Sequence, residues 1–139
     1  MASTVREALE RILSNAAPLP AEHVPLREAL GRVLAEDVRS PIDHPPWPNS
    51  SMDGYAVRAV DVARAKVELP VVLPVRETVR AGQPPAAPLT AGLAVRIMTG
   101  APVPDGADSV IRVEDTDGGE ERVTILDARD AGRNVRPRA

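Results

Sequence analysis

The stretch NSSMDGYAVR, from Asn49 to Arg58, decides how the rest of the chain is arranged. Prolines at positions 45, 46 and 48 precede it and restrict the backbone on its approach. Asp53-Gly54 is a turn signal, because Asp hydrogen-bonds nearby backbone groups and Gly accepts a positive φ. A carboxylate is therefore held at a tight bend before a short strand, Tyr55–Val57. This stretch alone leaves two interpretations open: an ordinary turn between strands, or a functional site on a rigid loop.

After this stretch, the pattern predicts strands separated by proline-rich and glycine-rich turns. Pro70 and Pro74 confine two valine-rich runs to sheet edges or bulges, because proline donates no backbone hydrogen bond. The last strands, Ser109–Val113 and Arg122–Leu126, flank Asp117-Gly118-Gly119 and predict a β-hairpin. The other predicted elements are a helix-permissive segment at 59–65, strands within 68–79, a loop at 81–91 and a strand at 93–97.

Before this stretch, the chain opens with its clearest helix. Thr4 and Glu7 form a capping-box pattern, and apolar residues recur at three- and four-residue spacing as far as Ala16. A further helical turn ends at Gly31, and residues 32–39 predict a strand. No second long helix is available to cover the apolar face of the first. We therefore expect a mainly β (α+β) module with little helix after residue 31, and an N-terminal helix whose partner lies elsewhere.

The composition excludes several classes of protein. The 139 residues are 43% hydrophobic and 27% charged, which is typical of about one globular domain. There are no cysteines, so disulfides, thiolate metal sites and cysteine nucleophiles are excluded. A net charge of −3 argues against nucleic acid as a partner. Neither a membrane span nor a signal peptide is indicated, so we expect a cytoplasmic protein without a membrane partner.

Three features have two interpretations each. With no Phe, one Trp and one Tyr, the core must be aliphatic, and Trp47 either caps this core or forms the lip of a site. The acidic run from Glu114 to Glu121 lacks the spacing of a calcium loop and is expected to be the solvated end of the hairpin. The last seven residues carry three arginines, which favours a solvated tail, with a local anion site as the alternative.

Motifs for nucleotide binding and for a serine nucleophile are missing: no G-x-G-x-x-G follows a strand, and no G-x-x-x-x-G-K or G-x-S-x-G occurs. What remains is a pair of loops bounded by proline or glycine, each with a short polar residue at its tip. Asp53 lies in SMDGYAV and Thr99 in IMTGAPVP.

These two motifs, with AGQP at 81–84, GADSVIRVE at 106–114 and GRNVR at 132–136, resemble the N-terminal region of the molybdopterin molybdotransferases. This family comprises the MoeA proteins and eukaryotic counterparts such as gephyrin and Cnx. The resemblance extends from about Val24 to the end, and several long motifs in the same order make it specific. It implies a mixed, partly bifurcated β-sheet with short connecting helices.

The resemblance also implies an activity. Family members insert molybdate into the dithiolene of adenylylated molybdopterin and release AMP, with Mg²⁺ assisting. They are homodimers that act after a molybdopterin adenylyltransferase. The implied organisation is part of a discontinuous domain I at 1–42, a β-rich domain II at 43–133 and the start of a return to domain I at 134–139. A third domain, beyond this chain, is expected to supply the metal ligands and most contacts to the pterin and nucleotide.

Asp53 and Thr99 match functional residues of the family and are the expected catalytic residues. Thr99 is expected to donate to an oxyanion, while Asp53 orients a water or metal or accepts a hydrogen bond from the pterin. The family continues past the point where this chain ends, so we expect a fragment or a truncated gene product that does not turn over alone. A non-catalytic dimerisation or scaffold module is the alternative. The residues expected to bind substrate are Ser51, Met52, Gly54, Tyr55, Gly100 and Arg136.

Overall fold

The computed structural model describes residues 4–139. The chain divides into two compact units, one ending at Arg39 and one running from Ser40 to Ala139. No helix in the described part of the chain is long and apolar enough to cross a membrane. The helices are α1 (Val5–Ser14) and α2 (Ala59–Val62). The strands are β1 (Asn49–Ser50), β2 (Gly54–Val57), β3 (Val71–Val79), β4 (Ala94–Ile97), β5 (Ser109–Arg112), β6 (Arg122–Ile125) and β7 (Val135–Arg136).

The first unit contains α1, and its predicted capping box is present. The Thr4 hydroxyl accepts a hydrogen bond from the Glu7 backbone N–H at 3.3 Å, and the Glu7 carboxylate accepts one from the Thr4 N–H at 2.8 Å. These bonds satisfy two backbone donors that a helix N-terminus leaves free. Local sequence therefore explains where α1 starts, although none of its residues is buried.

The rest of the first unit is irregular. A 3-10 turn covers Leu26–Glu28, and Gly31 has a φ of +80°, as expected of a residue that ends a helical turn. The predicted strand at 32–39 is wrong, because the structure has no strand there and all eight residues are exposed. A strand is stable only when a neighbour satisfies its backbone groups, and this segment pairs with no strand in the part of the chain that is described.

The second unit is built on a five-stranded mixed sheet in the order β5-β2-β4-β3-β6. β2 runs antiparallel to both β4 and β5, while β3 runs parallel to β4 and antiparallel to β6. Within residues 4–139, the helices are confined to α1, the four-residue α2 and two 3-10 turns. The predicted mainly β fold with a mixed sheet is confirmed.

β3 is a single nine-residue strand that changes neighbour in the middle. Its first half, Val71 to Pro74, pairs with β6, and its second half, from Val75, pairs with β4 with a shift in register. Pro74 lies where the pairing changes, so its missing N–H is tolerated. Of the two predicted alternatives, sheet edge or bulge, the structure has a bulge, seen as the register shift between Val75 and Thr78, and β3 lies between β4 and β6 in the strand order.

The predicted hairpin of β5 and β6 is wrong, although both strands exist. β5 pairs with β2 and β6 pairs with β3, which places the two strands at opposite edges of the sheet. A 3-10 turn at Val113–Asp115 redirects the chain directly after β5. Loop segments then cover both edges: the Val110 N–H donates to the Arg133 carbonyl at 3.0 Å, and the Leu126 N–H to the Asp115 carbonyl at 2.8 Å.

The acidic segment between these strands is ordered by internal hydrogen bonds. Asp115 is buried and accepts hydrogen bonds from the Arg129 side chain. Asp117 accepts from the backbone N–H groups of Gly119 and Thr124, at 3.1 and 2.9 Å. The expectation of a solvated end is therefore wrong for Asp115, whereas Asp117 is exposed although it is hydrogen-bonded.

The sheet has an aliphatic cluster on each face. Tyr55 and Val57 belong to one cluster and Ala56 to the other, because successive side chains of a strand point to opposite faces. β4 and β5 divide in the same way. Trp47 belongs to neither cluster and is 47% exposed, so the expectation that it caps the core is wrong.

The C-terminal arginine run is part of a small second sheet. Val135–Arg136 pair antiparallel with Asn49–Ser50, and Arg138 forms an ion pair with Asp43. The run is therefore not a free tail, although its three arginines are exposed as expected. The pairing brings the end of the chain beside the stretch that leads into Asp53.

Candidate functional site

Asp53 lies on a short loop between β1 and β2 that is fixed from several sides. The Ser50 hydroxyl donates to the Met52 carbonyl at 2.5 Å and accepts from the Met52 N–H at 3.2 Å. The Asp53 carbonyl accepts a hydrogen bond from the Val113 N–H at 3.0 Å, which joins the loop to the end of β5. The Asp53 side chain is exposed, so a rigid backbone presents an accessible carboxylate.

Gly54 is required here by close packing. A Cβ at this position would lie 1.9 Å from the Ile111 carbonyl oxygen. Its φ is not positive, unlike that of seven other glycines in the described chain, so the expectation based on a left-handed turn is wrong. A side chain here would push β2 away from β5, and the strand would no longer start directly after Asp53.

Thr99 lies on the loop that follows β4 and contacts Asp53 directly. Both its backbone N–H and its hydroxyl donate to Asp53 Oδ1, each at 2.7 Å. Two further bonds close the loops on each other, from the Gly100 N–H to the Ser50 carbonyl at 2.8 Å and from the Ser50 N–H to the Ala101 carbonyl at 3.0 Å. The two predicted loop tips, 46 positions apart in sequence, therefore form one cluster.

This contact determines the chemistry of both residues. The Thr99 hydroxyl, and next its N–H, lower the pKa of Asp53, because both hydrogen bonds favour the ionised carboxylate. Asp53 is therefore an anion at neutral pH, and its Oδ2 has no hydrogen bond within residues 4–139. A threonine hydroxyl carries a single proton. Because that proton is used on Asp53, the expectation that Thr99 donates to an oxyanion does not hold in this arrangement.

A third segment, Arg133 to Arg136, completes the cluster. The N–H and hydroxyl of Ser51 donate to the Asn134 carbonyl at 2.9 and 3.1 Å, and the Asn134 side-chain amide donates to the Val110 carbonyl at 2.9 Å. Asn134 has a φ of +66°, a conformation that Asn tolerates better than most residues. Arg136 follows on β7, opposite Asn49, with an exposed side chain that forms no ion pair within the described residues.

The predicted substrate-binding residues differ in accessibility. Ser51, Met52 and Gly100 are half-buried in the loop cluster, and Arg136 is exposed. Tyr55 is fully buried, and its hydroxyl donates to the Gly119 carbonyl at 2.9 Å. Burial raises the pKa of Tyr55, so the hydroxyl stays protonated. Gly54 and Tyr55 are buried in the described chain and have a packing role there, while their expected contact with substrate stays a prediction.

The sequence did not reveal three members of this cluster. Ser50 and Asn134 hold the loops together, and the side chain of Asn49 is buried with an Oδ1 atom that lacks a hydrogen-bond partner in the described chain. The Ser50 hydroxyl bonds the Met52 backbone two positions on, but the contacts that join the two loops run from the Ser50 backbone to Gly100 and Ala101, about 50 positions away, and local patterns carry no signal for them. Asn134 follows Gly132-Arg133, and an Asn after a glycine-containing turn is a signal for positive φ.

The described residues contain no group of three or more His, Asp or Glu side chains close enough to hold a metal ion. Asp53 offers one free carboxylate oxygen, so it can contribute a single ligand to an ion held mainly by other groups. The cluster therefore combines the ionised carboxylate of Asp53, Thr99, which orients that carboxylate, and the exposed Arg136 on β7.

Comparison with known proteins identifies relatives of this chain. A family model described as the MoeA N-terminal region (domain I and II) matches residues 3–139. A molybdopterin molybdenumtransferase of Synechococcus elongatus is 44% identical over 132 residues, which are 93% of this chain and 33% of that protein. Molybdopterin molybdenumtransferase 2 of Mycobacterium tuberculosis is 48% identical over 92 residues, which are 66% of this chain and 23% of that protein.

The crystal structure of a molybdopterin biosynthesis moeA protein from Pyrococcus horikoshii OT3 has the same fold. It superposes with a TM-score of 0.81 at 38% identity, over 96% of this chain and 35% of that one. The chain thus spans about a third or less of the length of the relatives and the solved structure it matches.

Proposed function

We propose that this chain, which belongs to the family of MoeA N-terminal regions (domain I and II), supplies part of the active site of an enzyme of molybdenum cofactor biosynthesis. The names of its relatives from Synechococcus elongatus and Mycobacterium tuberculosis support the pathway. The observation that carries the proposal is the contact of Asp53 with Thr99. Two loops far apart in sequence hold one exposed, ionised carboxylate, an arrangement that folding alone does not require.

The proposed reaction is the insertion of molybdate into the dithiolene of adenylylated molybdopterin, with release of AMP. Molybdate and the pterin diphosphate are both anions, so an ionised Asp53 repels them and does not anchor their charge. Its free Oδ2 instead accepts a hydrogen bond, either from an N–H group of the pterin or from a water at the reacting centre. Thr99 acts through Asp53 by fixing the direction of the carboxylate.

Positive charge for these anions comes from outside the Asp53–Thr99 pair. Arg136 is the candidate within this chain, because it is exposed and its strand pairs with the residues that lead into Asp53. The guanidinium group suits phosphate and other oxyanions, since it offers several N–H donors in one plane. Mg²⁺ would be held mainly by groups outside this chain, because Asp53 alone is not a metal site.

The proposed domain organisation assigns residues 1–42 to domain I, 43–133 to domain II and 134–139 to the return to domain I. The division of the chain into compact units after Arg39 supports the first boundary. The turn that precedes Asn134, and the pairing of β7 with β1, support a change of direction near the second. We place the enzyme in the cytoplasm, downstream of a molybdopterin adenylyltransferase.

The proposed assembly is a homodimer of the whole enzyme in which α1 is covered. Four aliphatic side chains of α1 are more than half exposed: Val5, Leu9, Ile12 and Leu13. Leaving this face in water costs roughly 1 kcal/mol of free energy for each side chain that could be buried. In this chain alone we expect α1 either to self-associate or to be mobile. Light scattering with hydrogen exchange tests this, and a monomer with a protected α1 would contradict it.

The experiment that tests the proposal compares Asp53→Asn with Asp105→Asn in a protein that carries this chain and the remaining length of its relatives. Asp105 is also an exposed loop aspartate, but its side chain makes no hydrogen bond in the described chain. We expect Asp53→Asn to lower molybdate insertion by about 100-fold or more, with folding and dimerisation intact. Asp105→Asn should have normal activity. Normal cofactor formation by Asp53→Asn would favour the scaffold alternative.

A further inference from the structure

Arg112 and the buried Asp130 form a charge pair at the end of β5, close to the Asp53 loop. Asp130 is 2% exposed, and its carboxylate accepts hydrogen bonds from Arg112 Nε at 2.8 Å and Nη2 at 3.1 Å. The backbone N–H of Arg112 donates to the same carboxylate at 3.3 Å. A carboxylate buried this deeply needs such partners, because an unpaired charge is strongly disfavoured in the interior.

On one side, this ion pair is attached to the Asp53 loop. Arg112 is the last residue of β5, and its backbone is the register partner of Gly54, the residue after Asp53. The next residue, Val113, donates its N–H to the Asp53 carbonyl at 3.0 Å. Any displacement of Arg112 therefore moves backbone groups that contact the residues at and next to Asp53.

On the other side, the pair is attached to the segment that carries Arg136. The Asp130 carbonyl accepts from the Arg133 N–H at 3.0 Å and starts the turn that leads to Asn134. Ser109, at the start of β5, accepts from the Gly132 N–H at 2.7 Å through its hydroxyl. Asn134 in turn accepts from Ser51, two residues before Asp53. The contacts form a closed ring that joins Asp53 to the Arg133–Arg136 segment along two routes.

We propose that the Arg112–Asp130 pair is a positioning device that sets the Asp53 carboxylate relative to the Arg133–Arg136 segment. Neither residue needs to touch a substrate. A two-pronged bond between a guanidinium and a carboxylate has a fixed direction, whereas two apolar side chains in contact can slide past each other. The role of this placement in catalysis rests on the proposed function, whereas the positioning of the Asp53 carboxylate by the pair does not depend on it.

Arg76 provides a matched control on the same sheet. It lies in β3, pairs with Glu77 and donates to the carbonyls of Ala87 and Pro88. Its side chain is 27% exposed, against 35% for Arg112. It contacts neither the Asp53 loop nor the Arg133–Arg136 segment. If Arg112 had a purely structural role, substitutions of Arg112 and Arg76 would have similar effects. If Arg112 has a positioning role, only its substitution should affect the Asp53 carboxylate.

The test compares Arg112→Lys with Arg76→Lys in the 139-residue chain by NMR. Lysine keeps the positive charge beside the buried carboxylate but loses the two-pronged geometry. In Arg112→Lys we expect the pKa of the Asp53 carboxyl to rise toward its ordinary range. We also expect the Thr99 amide, which donates to Asp53, to exchange with solvent about tenfold faster. Arg76→Lys should change neither quantity.

Asp130→Glu is the second variant, since it keeps the charge and displaces the carboxylate by one methylene group. It should give the same two changes as Arg112→Lys even if Arg112→Lys fails to fold. A pKa of Asp53 and a Thr99 exchange rate that stay unchanged in a folded variant would overturn the proposal. Neither readout depends on turnover, so the outcome is independent of whether Asp53→Asn abolishes molybdate insertion.

Discussion

Residues 4–39 and residues 40–139 contain the same kinds of aliphatic side chain and use them in opposite ways. In the first unit Leu26, Leu30 and Val33 are more than nine-tenths exposed. In the second unit sixteen apolar residues are buried in two clusters, one on each face of the sheet. A local apolar pattern is therefore sufficient for a helix such as α1 to form. Burial of its apolar side chains also requires a second element that packs against them.

The two units also differ in the range of their hydrogen bonds. Side-chain hydrogen bonds within the first unit join residues at most ten positions apart, as in the pair of Arg32 with Glu22. In the second unit Thr99 reaches Asp53 across 46 positions, and Ser51 reaches Asn134 across 83. Long-range contacts place functional groups together, so the candidate site lies in the second unit.

The largest difference between the units is expected for glycine substitutions. Gly54→Ala places a Cβ 1.9 Å from the Ile111 carbonyl oxygen, between β2 and its neighbour β5, and we expect it to lower the free energy of unfolding by about 4 kcal/mol or more. Gly31→Ala introduces strain at a φ of +80° but meets no atom within 4 Å, so about 1 kcal/mol is expected. Urea denaturation followed by circular dichroism measures both losses. Equal losses of unfolding free energy in Gly54→Ala and Gly31→Ala would contradict the difference between the two units.

Truncation of an aliphatic side chain should show the same contrast at a smaller size. Ile125→Ala creates a cavity in a fully buried position and should cost about 3 kcal/mol. Leu30→Ala removes a side chain that is 97% exposed and should change stability by less than about 0.5 kcal/mol. A large loss for Leu30→Ala would mean that this residue is covered in solution, for example by a second copy of the chain.

A pH dependence is expected from the second unit. Hydrogen bonding from the Arg112 side chain lowers the pKa of Asp130, so the unfolded chain binds this proton more readily than the folded one does. The resulting stability is present above the unfolded value of about 3.9 and is lost as the pH falls through the lower folded value.

We therefore expect acid to cost the unchanged chain about 1 kcal/mol more than Asp130→Asn, measured by urea titrations at pH 7 and pH 3. Asp37→Asn, at an exposed position in the first unit, should lose as much as the unchanged chain. An identical acid loss in Asp130→Asn would show that the pair makes no such contribution.

The smallest effect is expected at the start of α1. Thr4→Ala removes the hydroxyl that caps the helix and should cost α1 about 1 kcal/mol, without changing the unfolding midpoint of the sheet. Thr4→Ser keeps the hydroxyl and should resemble the unchanged chain. The helical circular dichroism signal reports on α1 and distinguishes Thr4→Ala from Thr4→Ser, while the unfolding transition of the sheet is measured in the same samples. A shift of the sheet transition by Thr4→Ala would show that the units are energetically coupled.

Elements with a local signal were predictable from the sequence. The capping box at Thr4, the glycine at position 31 and the alternation at Ala94–Ile97 each depend on residues a few positions apart. Strand pairing was not predictable, because it depends on contacts between distant segments. The hairpin of β5 and β6 was wrong for this reason, since local turn residues do not reveal that β2 and β3 compete as partners.

The candidate site shows the same limit. Asp53 and Thr99 were identified by resemblance to a family, and no spacing in the sequence predicted that Thr99 would use its hydroxyl proton on Asp53. Tyr55 was predicted at the site because it follows Asp53 and Gly54, whereas its side chain is buried in the core on one face of a central strand. Proximity in sequence to a functional residue is thus weaker evidence than the face of the strand on which a side chain lies.

The most direct test of this account is a double-mutant cycle for molybdate insertion with Asp53→Asn, Thr99→Val and both together, in a protein that carries the remaining length of its relatives. Thr99→Val removes the hydroxyl but keeps the N–H, and Thr99→Ser restores the hydroxyl as a control. If Thr99 acts through Asp53, the double variant should be no slower than Asp53→Asn alone, and Thr99→Ser should have near-normal activity. Losses that multiply would contradict the account, because Thr99 would then contribute to the reaction independently of Asp53.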